Sequence, residues 1–130
     1  METGPAPADQ PAAIADRGEH DLELAGVTYR LRPSRAALRT IEKKTGATTL
    51  ALIQAGNVGG LTLEQLGIIG AELIRAGAGD ELTRSVNADR IEELIFEEGL
   101  SGAHAALTLC LMDAATGGRT ASGEAKAAAA

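Results

Sequence analysis

The spacing of apolar residues changes once along this chain, at Pro33, and that change limits the folds open to it. Ahead of Pro33, Leu22 and Leu24 alternate with Glu23. After Ala25-Gly26, the residues Val27, Tyr29 and Leu31 alternate with Thr28 and Arg30. A period of two around a glycine-containing turn predicts a β-hairpin with one buried face, Tyr29 and Leu31 turned inward beside Leu22 and Leu24. Proline stops the second strand because it has no N–H to give to a ladder. Beyond it apolar residues recur at three and four, and every segment reads as helix. The expected fold is mainly α with a small N-terminal β-hairpin (α+β), the hairpin being followed by about five short helices.

The helix boundaries follow from caps. Ser34 is placed to cap RAALRTIEKKT, residues 35–45, which carries Leu38 and Ile41 and is closed by Gly46. A shorter helix over about 48–55 carries Leu50 and Ile53 and ends at Gly56. After the loop GNVGG, Thr62 and Gln65 form the capping-box pattern T-x-x-Q ahead of LEQLGIIGAELIRA. Its apolar face holds Leu66, Ile69 and Leu73, and Gly77 closes it. Asn87 caps ADRIEELIFEE, with Ile91, Leu94 and Ile95 on one side and Gly99 at the end. The last helix, about 103–115, is nearly apolar all round (HAALTLCLMDAA), so it is either central or covered by a partner. Residues 19–116 make one domain. The flanks, 1–18 and 117–130, are rich in Ala, Pro and Gly without periodicity and are expected to be disordered tails.

Composition narrows the function classes. The chain has 18 Asp and Glu against 12 Lys and Arg, a formal net charge of -6, which disfavours a phosphate backbone as partner. It has neither a basic, apolar leader nor a stretch near the ~20 apolar residues that span a bilayer, so no membrane and a cytoplasmic location are expected. One Tyr, one Phe and no Trp leave Leu, Ile, Val and Ala to build the core.

Little in the sequence points to chemistry. His20 and His104 are isolated, and neither H-x-x-x-H nor C-x-x-C occurs, so no metal is expected. Cys110 lies in an apolar helix, where cysteine behaves as a small hydrophobe. GNVGG lacks the Lys-Ser/Thr of a phosphate loop. Gly67 and Gly70, in GIIG, sit within a helix and suit close approach of another helix. The reading is no enzyme and no cofactor. The informative charges are Glu92, Glu93, Glu97 and Glu98. A solvated helix face accounts for most such clusters. Yet Glu97 and Glu98 stand near a helix C-terminus, where the macrodipole disfavours negative charge. A nearby arginine (Arg90 or Arg35) or a basic partner would explain them. Glu93, Glu97 and Glu98 are therefore the candidate partner-binding residues.

The stretch LAGVTYRLRPSRAALRTIEKKTG resembles a family of small proteins of gene transfer agents and phage tails, encoded between the major tail protein and the tape measure. Gly26, Tyr29, Leu31, Arg32, Pro33, Ile41, Glu42, Thr45 and Gly46 carry the likeness, and IEELIFEEGL resembles the family's later helix. The resemblance implies a role in tail morphogenesis, as a tail tube protein or a tail assembly chaperone. A tube subunit needs a large β-sheet, so one hairpin favours the chaperone, with the tape measure protein and/or the major tail protein as partner. The alternatives are a permanent structural tail component (tube, connector or terminator) within a phage-like particle, and a small regulatory protein-binding domain.

Overall fold

A computed structural model describes residues 19–117. Apart from Gly117, the two expected tails lie outside the described residues. The chain opens with β1 (His20–Leu24) and β2 (Val27–Leu31), paired antiparallel with Leu22 opposite Tyr29 and Leu24 opposite Val27. Both residues between them have positive φ, 53° at Ala25 and 79° at Gly26, as a two-residue type I′ turn requires. Leu22, Leu24 and Leu31 are buried. On that face β2 is less covered than β1: Tyr29 packs against the core but is only half-buried and Val27 is exposed, whereas Leu24 opposite Val27 is 2% exposed.

Six helices follow among the described residues: α1 (Arg35–Thr45), α2 (Thr49–Asn57), α3 (Leu63–Gly77), α4 (Glu81–Arg84), α5 (Ala88–Glu98) and α6 (Leu100–Ala115). Mainly α with an N-terminal hairpin is the observed fold. Ser34, Thr62 and Asn87 each accept from a backbone N–H three residues on, and Thr62 and Gln65 close a full capping box. Gly46 ends α1 at φ 72°, its N–H donating to the Glu42 carbonyl. Three details depart from expectation. Helix α4 is a single turn that Asp80 caps through the Thr83 N–H, too short to show a period. Helix α6 begins three residues early, directly after Gly99. In α2 the inward pair is Leu52 and Ile53, and Leu50 is 64% exposed.

The centre is α3. Leu66, Ile69, Leu73 and Ile74 are fully enclosed. On one flank α5 approaches closely, since a Cβ at Gly67 would stand 2.8 Å from the Cβ of Glu92 and 2.9 Å from the Ala88 carbonyl. That meets the expectation for GIIG. On another flank the buried Glu72 takes Lys44 Nζ of α1 at 2.8 Å, together with Arg75. Burial of a carboxylate is costly unless it is paired in this way. The hairpin joins through the Arg32 N–H, which donates to the Leu73 carbonyl at 3.0 Å.

Candidate protein-binding groove

Helix α6 turns one side to the core through Ala103, Leu107, Cys110 and Leu111. Its sequence is as apolar on the other side, and there Leu109 and Met112 are each 38% exposed. Helix α2 crosses α6 at its far end. The crossing depends on Gly56, where any Cβ would overlap the Thr108 side chain. The GNVGG loop is then held down at two points. The Gly60 N–H donates to the Ala55 carbonyl at 2.7 Å, and the Leu61 N–H donates to His104 Nε2 at 3.1 Å. An accepting Nε2 leaves the proton of the neutral imidazole on Nδ1.

Between the loop and α6 lies an open groove of about 700 Å³, lined by Gly56, Asn57, Gly59, Leu100, Ser101, His104, Ala105, Thr108, Leu109 and Met112. Apart from His104, none of these residues is ionisable. The buried Thr108 Oγ1 has no hydrogen-bond partner among the described residues. At Ser101 the groove meets a second, smaller one of about 300 Å³, which carries Asp21, Glu23 and Glu98. Ser101 lines both, so the apolar groove along α6 has an acidic neighbour beside the hairpin.

The structure divides the acidic trio. Glu93 pairs with Arg90 at 2.7 Å across one turn of α5, and this contact raises the arginine pKa through its hydrogen bond first and its charge second. Glu97 lies on the same outward side. Glu98 is about 140° around the helix from Glu93 and faces β1. The three do not form one patch: Glu98 belongs to the groove with Asp21 and Glu23, and Glu93 and Glu97 belong to the outer face of α5.

The residues of the family resemblance have local structural work. Leu31 and Ile41 are fully buried. Glu42 joins α1 to α2: its carboxylate accepts from the Thr49 N–H at 2.8 Å and the Thr49 hydroxyl at 2.9 Å, which holds its pKa below the usual carboxylate range. Thr45 donates to the Ile41 carbonyl at 2.7 Å, and Gly46 supplies the left-handed turn. The Arg32 guanidinium stands 3.7 Å from Glu19.

The groups that could carry chemistry are placed as follows. His20 Nε2 is 2.6 Å from the buried Asp113, tying the first strand to α6. The Cys110 thiol is buried, and burial pushes its pKa far up, the charges of Asp113 and Glu19 adding to the effect. Among the described residues no three His, Cys, Asp or Glu side chains are grouped to hold a metal ion, and no helix is long and apolar enough to cross a membrane.

No protein-family model, no curated protein and no solved structure matches the chain. The site must be read from its own geometry. Of the acidic end sequence reasoning singled out Glu98 and neither Asp21 nor Glu23, and it did not place the groove. The available signal was the apolar outer side of the last helix.

Proposed function

We propose that this chain is a protein-binding module of tail morphogenesis, a tail assembly chaperone that receives a helix of the tape measure protein and/or of the major tail protein in the α2–α6 groove. The observation that carries the reading is the exposed apolar face of α6, opened by Leu109 and Met112, with the acidic pocket of Asp21, Glu23 and Glu98 next to it across Ser101. An amphipathic helix with a basic end fits that surface. Its apolar side fills the groove and supplies the affinity. Its Lys or Arg residues meet the carboxylates, which set register and association rate more than affinity. The resemblance of 18–118 to small tail proteins supplies the partner. A sheet of two strands among the described residues favours a chaperone over a tube subunit, and a permanent tail component remains the alternative.

Co-expression with the tape measure tests the reading. The native chain should co-purify with it and raise its solubility. Leu109→Glu with Met112→Glu should abolish both effects while leaving the helical circular dichroism and unfolding midpoint near native values, because both side chains are partly in solvent already. Glu98→Lys should weaken capture mainly at low salt. Capture that persists in the doubly substituted chain rules out the groove. A native chain that neither co-purifies nor solubilises rules out the chaperone.

A further inference from the structure

The outer faces of α1 and α5 carry opposite charge at one spacing. On α1, Arg35, Arg39 and Lys43 recur every four residues, all exposed. Among the described residues none of the three is in an ion pair, whereas Lys44 beside them binds Glu72. On α5, Asp89, Glu93 and Glu97 recur every four residues, also exposed, with Phe96 among them at 65% exposure. Local preference explains part of each stripe, since Lys43 and Asp89 stand at the helix ends that suit their charge and Arg90 pairs with Glu93, but not Arg35 or Glu97. Like charges four apart on a helix repel, Arg35 opens its helix where the dipole disfavours a cation, and Glu97 closes its helix where the dipole disfavours an anion.

The two faces lie on opposite sides of the molecule. Helix α5 packs at Gly67 and Gly70 of α3, and α1 reaches Glu72 of the same helix. Gly67 and Gly70 stand about 140° and 200° around the helix axis from Glu72, so α5 and α1 pack on opposite sides of α3. A chain therefore cannot bring its own α1 face to its own α5 face, but a second copy can. The basic face also carries a depression of about 270 Å³, floored by Ala36 and Thr40 between Arg39 and Lys43.

We propose that copies of this chain associate head to tail, the α5 face of one against the α1 face of the next. Phe96 seats between Arg39 and Lys43, where cations lie against the ring, and Glu93 and Glu97 pair with the same two side chains. Such a contact uses different surfaces on the two copies, so it propagates into a ring or a filament instead of stopping at a dimer. It leaves the α2–α6 groove open.

Sedimentation of the full chain tests this. At low salt the native protein should associate as its concentration rises, and added salt should weaken the association as it screens exposed charges. Phe96→Ala should weaken it about tenfold or more, as loss of a central aromatic anchor does. Two reversed chains then isolate the pairing, one with Arg39→Glu and Lys43→Glu, the other with Glu93→Lys and Glu97→Lys. Each alone presents like charge on both faces and should sediment as a monomer. Mixed in equal amounts they should associate, because each complements the other. Salt dependence and Phe96→Ala decide the matter should a reversed chain fail to fold. A native chain that stays monomeric at low salt overturns the proposal. So does association that survives either reversal, or that is lost only with Leu109→Glu and Met112→Glu.

Discussion

Helices α3 and α6 are the two most apolar long helices of the chain, and they meet opposite fates. Helix α3 is enclosed by α1, α5, α6 and the hairpin, so that even Glu72 is taken out of water and matched with Lys44 and Arg75. Helix α6 is enclosed on one side and leaves Leu109 and Met112 partly in solvent on the other. The difference lies in where small residues fall. Gly67 and Gly70 admit α5 along the length of α3, whereas Gly56 admits Thr108 at a single crossing and leaves the rest of α6 uncovered. An apolar helix becomes core where neighbours can come close. Where they cannot, part of its apolar side stays in solvent.

Paired substitutions give the contrast its sharpest test. Leu73→Ala, at a fully enclosed site, should cost about 2.5–5 kcal/mol in urea unfolding. Leu109→Ala should cost less than about 1 kcal/mol, as expected away from a packed core. Equal costs would mean that the outer side of α6 is core after all. The glycines give a second pair. Gly67→Ala drives a methyl group against Glu92 and the Ala88 backbone and should destabilise by about 1–3 kcal/mol, net of its gain in helix propensity. Gly102→Ala, on open α6 with nothing within 4 Å of the new carbon, should stabilise by about 0.5–1 kcal/mol. If both change stability in the same direction, proximity is not what separates the two helices.

A smaller effect is expected at the α1–α2 junction, outside the compared pair. The folded-state pKa of Glu42 is lowered, first by the Thr49 N–H and then by the Thr49 hydroxyl. Its contribution is therefore fully present above the ordinary value of 4.5 and is lost as pH falls through the lowered folded value. Glu42→Gln should remove that part of the acid dependence, leaving unfolding midpoints that vary less steeply below about pH 4.5. A variant with the native acid profile would show that the Thr49 contacts do not stabilise the folded state.

Much of the fold was legible because its signals are local. Ser34, Thr62 and Asn87 cap helices through groups three residues away, and Ala25-Gly26 sets the hairpin within two residues. What failed to show was set at a distance. Leu50 and Leu52 are equivalent to a helix period over nine residues, and only the crossing with α6 decides that Leu52 turns inward. Tyr29 follows the strand alternation and packs against the core, but the helices cover β1 at Leu22 and Leu24 more fully than β2 at Tyr29 and Val27. One turn at Glu81–Arg84 has no period to read. Of the candidate site, the sequence singled out Glu98 and the apolar last helix. Glu97 and Glu98 were conspicuous against their own helix dipole, yet one turns to the outer face and the other to the hairpin. The groove arises from two helices and a loop meeting, and the stripe of Arg35, Arg39 and Lys43 acquires meaning only when α5 is seen on the opposite side of α3.

The most direct test of α6 as a binding surface is residue-by-residue amide chemical-shift mapping of the full chain during titration with a helical tape measure segment that carries a basic end. The shifts should concentrate at residues 56–60, at residues 100–112 on the outer side of α6, and at Asp21, Glu23 and Glu98, and they should vanish in the Leu109→Glu, Met112→Glu chain. Shifts confined to α1 or to the outer face of α5, with α6 unmoved, would contradict the groove as the site.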